Sequence, residues 1–162
     1  VTPDNARQYT KQLLSAIKYL HDNKVIHKDI KCSNVLISSE GVIKLSDFGS
    51  SKKFDQTNST VAYNVNGAMT FRGSVLWMAP EVMKDNKYGR KSDIWSFGCT
   101  VLEMLTAKTP WADKNYDNEM NAILDIGLGD EIPKIPQNLP ESLKDFLGQC
   151  LVRDPEKRAS AE

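Results

Sequence analysis

Apolar residues fall at Ala6, Tyr9, Leu13, Ile17 and Leu20, at spacings of three and four. That rhythm puts them on one stripe of a helix of about five turns, packed against a core. Thr2 and Pro3 suit its start, because the hydroxyl can cap free amides and a first-turn proline loses no hydrogen bond. Asp22-Asn23-Lys24 ends it. Two short β-prone runs follow, Val35–Ile37 and Val42–Leu45, and Ser38-Ser39-Glu40-Gly41 between them predicts a hairpin with glycine in the turn. Ser50 to Gly73 is polar and shows neither helix nor strand periodicity, so it reads as a long mobile loop. Ser92 to Thr106 is apolar around much of its circumference, which predicts a helix at the domain centre. Asn118–Gly127 and Glu141–Val152 are amphipathic, separated by a proline-rich linker at Ile132–Pro136, and Ala159–Glu162 reads as the opening turn of another helix. The expected class is mainly α with one short β-hairpin.

Between the first helix and the hairpin lies Val25–Leu36, where apolar pairs bracket His27, Lys28, Asp29, Lys31 and Asn34. Singly, these have ordinary readings: His27 as a structural histidine, Asp29 and Asp47 as turn-capping carboxylates. Spacing changes the picture. Asp29 precedes Asn34 by five residues, and Asp47 follows Asn34 by thirteen across the hairpin, so two carboxylates and an amide can meet at one end of two paired strands. Carboxylate and amide oxygens suit Mg²⁺, which binds through one or two carboxylates plus substrate phosphates. With Lys31 beside them, the set has the parts that phosphoryl transfer uses for positioning and charge neutralisation.

Composition narrows the setting. The 162 residues fit one domain, and a 40% hydrophobic content supplies a core. Lys plus Arg and Asp plus Glu balance at 21 each, so no global field draws the chain to nucleic acid or an anionic membrane. Cys32, Cys99 and Cys150 are odd in number and show no metal-ligand spacing, which points to a reducing, intracellular setting. No apolar run approaches the ~18 residues a membrane span needs. A soluble, cytoplasmic protein is expected.

The motifs in order resemble the carboxyl-terminal lobe of eukaryotic protein kinases across essentially the whole chain. His27-Lys28-Asp29 with Asn34 is similar to H-R-D-x-x-x-x-N, Asp47-Phe48-Gly49 to D-F-G, and Ala79-Pro80-Glu81 to A-P-E. Asp93-Ile94-Trp95-Ser96-Phe97-Gly98 fits the family's central-helix pattern, and Arg158 sits in a late R-D-P-x-x-R segment. The resemblance implies a partial catalytic domain over 1–162, with an activation segment at 47–81 and the amino lobe missing. It implies Asp29 and Lys31 as catalytic residues, Lys31, Asn34, Leu36 and Asp47 around ATP, and Asn34 and Asp47 on Mg²⁺. Leu36 would floor the adenine. His27 and Phe48 would be structural supports, Glu81 and Arg158 a buried ion pair, and Asp93 a hydrogen-bond anchor for the catalytic-loop backbone.

Asp29-Ile30-Lys31 and the small hydroxyl residue Ser74 are similar to the serine/threonine branch, and the surrounding residues resemble kinases at the head of MAP kinase cascades. The implied activity is ATP-dependent phosphorylation of a protein substrate, a downstream kinase among the candidates. The alternative is a pseudokinase or scaffold that keeps the fold without catalysis. Lys28 stands where many regulated members carry Arg, and Thr70 stands where they are often phosphorylated, so a phosphate on Thr70 would pair with Lys28; Ser59 and Thr60 are poorer candidates. The Gly-rich loop, the strand lysine and its helix glutamate have no match, so the chain alone is expected to transfer phosphate poorly.

Overall fold

The computed structural model describes residues 2–54, 60–62 and 74–162. Helix α1 (Pro3–Asp22) opens with Asn5 N donating to the Thr2 hydroxyl and closes at Asn23. Lys24 then turns left-handed, with φ 59°. Strand β1 (Val25–Ile26) follows, then the loop to a short 3₁₀ turn (Cys32–Asn34), then the hairpin β2 (Val35–Ile37) and β3 (Ile43–Leu45). Gly41, at φ +75°, supplies the left-handed residue that the hairpin turn requires. The register pairs Val35 with Leu45 and Ile37 with Ile43.

The stretch expected to be an unstructured loop contains two strands. Strand β4 (Lys52–Lys53) pairs antiparallel with β1, and β5 (Thr60–Ala62) pairs antiparallel with β6 (Lys87–Gly89). These strands pair with segments distant in the sequence and lack the intervening glycine turn that marks the hairpin, so the local pattern does not show them. Thr70 and Gly73 lie outside the described residues.

Helix α2 (Pro80–Asp85) has a proline at its first position and ends in the left-handed Asn86. Helix α3 (Arg90–Thr106) begins two residues before the expected Ser92 and is buried continuously from Ser92 to Leu102. It divides the core in two. Trp95 and Cys99 face a cluster with Trp77, Tyr88, Trp111 and Ile126, while Ile94, Phe97 and Val101 face one with Leu13, Ile17, Ile30 and Leu147. Helix α4 (Glu119–Leu128) packs against α2, and α5 (Glu141–Cys150) against α3. A Cβ on Gly98 would lie 2.7 Å from the Cβ of Cys150, so the closeness of α3 and α5 depends on that glycine.

Residues 159–162 form no helix, contrary to the sequence reading. Among the described residues no helix is long and apolar enough to cross a membrane.

Candidate active site

The loop between β1 and β2 is held from below by α3. Asp93, in the first turn of α3, is buried, and its carboxylate accepts from His27 N at 3.0 Å and Lys28 N at 2.9 Å. His21, from the last turn of α1, lies 2.8 Å away on the same carboxylate. One side chain thus joins two helices and the loop. Ile30, fully buried, pins the middle of the loop into the core.

His27 is completely buried, and burial pulls its pKa below the usual histidine value. Asp29 N donates to Nδ1 at 3.3 Å, so that nitrogen carries no proton, and Nε2–H donates to Ser46 O at 3.0 Å. The neutral ring therefore spans from the loop to the end of β3. Phe48 stacks edge-on against it at 4.9 Å between centroids, and its other face is open to solvent.

Asp29, Lys31, Asn34 and Ser74 form one connected group. Asn34 Nδ2 donates to Asp29 O at 2.7 Å and to Asp29 Oδ2 at 2.9 Å, which orients both side chains. Lys31 Nζ lies 3.3 Å from Asp29 Oδ2 and donates to the Ser74 hydroxyl at 2.5 Å. The cation therefore bridges the loop to the segment before α2. Ser46 donates to Asn34 O from its backbone N at 2.8 Å and its hydroxyl at 2.9 Å, which sets Asp47 beside Asn34 at the hairpin's end. Asp47 is exposed, in the left-handed conformation at φ 60°, and accepts weakly from Gly49 N at 3.4 Å. Aspartate tolerates this conformation better than most residues, at a cost of about 1–2 kcal/mol.

This set fits Mg²⁺ through its donor chemistry. With both Nδ2 hydrogens of Asn34 given to Asp29, its Oδ1 is the atom left for a cation, and Asp47 offers an exposed carboxylate. Among the described residues no three His, Cys, Asp or Glu side chains gather as a self-sufficient metal cage. Two oxygens that need phosphates to complete the shell are what Mg²⁺ on a nucleotide uses. Leu36, on β2, is 56% exposed and presents an apolar surface at the hairpin.

Lys28 is buried at φ 75°, with Nζ 5.0 Å from the centre of the Tyr88 ring. Burial first, and the nearby Lys52 second, pull its pKa down to about 8. Glu81 and Arg158 make a two-pronged pair, at 2.7 and 2.9 Å. Arg158 is 1% exposed, and its remaining hydrogens go to the carbonyls of Val152, Lys91 and Arg153. Ser92 Oγ donates to Glu81 as well, so the start of α3 is tied to the same pair.

Sequence reasoning missed Glu103 and His21. Glu103 Oε2 accepts from the Trp77 indole at 2.9 Å and from Cys32 N at 3.3 Å, joining α3, the loop and the segment after Ser74. An acid in the apolar run Val101-Leu102-Glu103-Met104-Leu105 was the available signal. Cys32 also sits here: burial, and then the Glu103 charge, push its thiol pKa upward. His21 left no trace in spacing.

Comparison with known proteins bears on this geometry. The protein kinase domain profile matches residues 1–162. The chain is 40% identical over 156 residues to mitogen-activated protein kinase kinase kinase 20 of Arabidopsis thaliana, which covers 96% of this chain and 44% of that protein. Identity to kinase kinase kinase 3 is 44% in Arabidopsis thaliana, across 94% of this chain and 22% of the relative. In Homo sapiens the protein of the same name is 42% identical across 100% of this chain and 25% of the relative. The chain thus spans less than half the length of each. A loop pinned by Asp93, a carboxylate, amide and lysine joined at its tip, and a profile match along the full length lead to one statement: the chain belongs to the protein kinase family.

Proposed function

We propose that the chain is the carboxyl-terminal lobe of a protein serine/threonine kinase domain that phosphorylates a protein in a MAP kinase cascade, using ATP and Mg²⁺. One observation carries it: the connected group in which Lys31 bridges Asp29 to Ser74 while Asn34 orients Asp29. Asp29 accepts the proton of the substrate hydroxyl, a step worth about 10²–10⁴-fold in rate for a positioned base. Its second contact, from Lys31, orients it toward the transferring phosphoryl, whose charge the same cation offsets. Asn34 and Asp47 would hold Mg²⁺, which when bound would neutralise phosphate charge on the nucleotide. Leu36 lies under the adenine, and Ser74 faces the acceptor hydroxyl through Lys31. His27 and Phe48 support Asp47 from beneath.

Regulation follows from Lys28. A phosphate on Thr70 would pair with it, and as a point charge Lys grips phosphate more loosely than a forked Arg. A kinase site also needs groups that hold the nucleotide from above, which in this family come from an amino-terminal lobe.

The test is transfer of radiolabelled γ-phosphate to a MAP kinase kinase, by the 162-residue chain and by the same chain joined to a kinase amino lobe. Expected is transfer by the joined form only, on serine or threonine, and its loss in Asp29→Asn and Asp47→Asn. Robust transfer by the short chain would overturn the need for the lobe. Transfer by joined Asp29→Asn at the unsubstituted rate would overturn the mechanism.

A further inference from the structure

Two threonines of the chain precede a proline, Thr2 and Thr109. The hydroxyl of Thr2 is engaged, accepting from Asn5 N at the start of α1. Thr109 stands differently: it is exposed, lies past the end of α3 outside any helix or strand, and its hydroxyl makes no hydrogen bond among the described residues. Thr100 and Thr106, on α3 itself, both donate theirs to carbonyls of the helix.

Proline has no N–H, fixes its own φ and biases the residue before it toward extended backbone. A protein kinase whose cleft takes extended chain and leaves the amide after the acceptor unpaired therefore selects a hydroxyl followed by proline, which defines the proline-directed class. Thr109-Pro110 has that form. Pro110 is buried, so presenting the hydroxyl means lifting its ring from the surface, but no helix or strand has to open.

The surroundings suit the product. Thr109 borders a groove of about 500 Å³ between the end of α3 and the linker before α5. The charged lining of that groove is two lysines, Lys108 and Lys134, against one acid, Asp113. Both lysines are exposed, and neither makes an ion pair with a described residue. A phosphothreonine carries a charge of about −1.5 to −2 at pH 7 and three acceptor oxygens, for which lysine is an ordinary partner. The groove thus holds positive charge beside the hydroxyl where phosphate would be added.

We propose that Thr109 is a phosphorylation site for a separate, proline-directed protein kinase, and that Lys108 and Lys134 hold the phosphate in the groove. The γ-phosphorus of ATP bonds to Thr109 Oγ1 as its bond to the β–γ bridging oxygen breaks; ADP leaves, and the hydroxyl proton passes to the base of the modifying enzyme. Held there, the phosphate ties the loop after α3 to the linker that carries Lys134. Thr109 also borders a second groove, which reaches Val75 and Leu76 beside Ser74, so the new charge lies next to the candidate active site. The modification is independent of whether this chain is itself catalytic.

The experiment incubates the 162-residue chain, and a synthetic peptide of residues 103–115, with Mg²⁺-ATP and two proline-directed enzymes in turn, an active MAP kinase and an active cyclin-dependent kinase. Mass spectrometry maps the phosphate. Expected is transfer to Thr109 in both substrates by at least one enzyme, none to Thr2, and none to the Thr109→Val chain. Transfer to neither substrate, or to the peptide but not the folded chain, overturns the site. So does phosphate on Thr109 in a reaction without added kinase, since the chain would then modify itself. The lysine contacts are read by ³¹P NMR against pH. Phosphothreonine in the peptide should titrate at about pH 6, and in the folded chain at least about half a pH unit lower, a threefold change in proton affinity. Lys134→Met, remote in sequence from the acceptor, should move the chain's value back toward the peptide's while leaving the rate of transfer unchanged. Circular dichroism checks that each variant is folded. Equal values in chain and peptide, or a value that Lys134→Met does not move, overturns the role of the groove.

Discussion

Replacing Glu81 by alanine leaves Arg158 as a fully buried cation with no carboxylate facing it. Guanidinium cannot shed its proton, so the charge stays and its desolvation goes uncompensated. Nη1 keeps the Lys91 carbonyl and Nη2 the Arg153 carbonyl, but each loses its shorter or equal contact to Glu81, and Ser92 loses its acceptor. Removing one partner of a buried pair costs about 3–5 kcal/mol. Against a typical domain stability of about 5–15 kcal/mol, that is about a fifth of the total or more. At about 2–4 °C per kcal/mol for a domain of this size, Tm falls by about 6–20 °C. Glu81→Gln keeps an oxygen for Arg158 or Ser92 and should lose about half as much. In a cycle with Arg158→Met, the double variant should cost less than the two single losses added, by at least about 1 kcal/mol. Urea unfolding followed by circular dichroism reads all four proteins. Salt adds a discriminating arm: 1 M NaCl screens exposed charges within about 3 Å but leaves a buried pair largely alone, so the loss should persist. A Glu81→Ala loss under 1 kcal/mol, or an additive cycle, would refute the reasoning.

Asp93→Asn leaves one oxygen for two backbone donors, so one of His27 N and Lys28 N is orphaned at about 1–3 kcal/mol; amide hydrogen exchange should lose protection at those two residues before the rest of the core. Lys28 has a folded pKa of about 8 against its usual 10.5, so the unfolded chain holds the extra proton between those values and stability rises with pH across that window. Lys28→Met should therefore abolish this rise between pH 8 and 10.5 in urea melts. Burial lifts the thiols of Cys32 and Cys99 above the usual range and pushes Cys150 up to about 12, so iodoacetamide at pH 8 should label all three far faster in denaturant than in the native chain.

Helices α1, α3, α4 and α5 were legible because each carries its own evidence. The three-four spacing of α1, the apolar circumference of α3 and the alternating faces of α4 and α5 are local patterns, and the observed ends fall within two residues of the expected ones. Strands β4, β5 and β6 were not legible, because backbone partners from distant segments make them and their side chains need follow no rhythm. The site divides the same way. Residue types and spacing brought Asp29, Asn34 and Asp47 into view, but not that Lys31 reaches Ser74, since residues 43 apart share no sequence period. Glu103 and His21 act through single contacts across the fold, and only the folded chain reveals them.

Asp93 gathers its bonds on the underside of the loop, facing the core and away from the surface where a substrate would sit. Foundation and frontage are separate. In the proposed kinase the segment before α2 can change residue by residue, and so change what is recognised, while the anchoring carboxylate stays put. A lineage built on this plan can explore new targets without rebuilding its chemistry, and an engineer who wants to redirect the protein should work on the frontage and leave the first turn of α3 untouched.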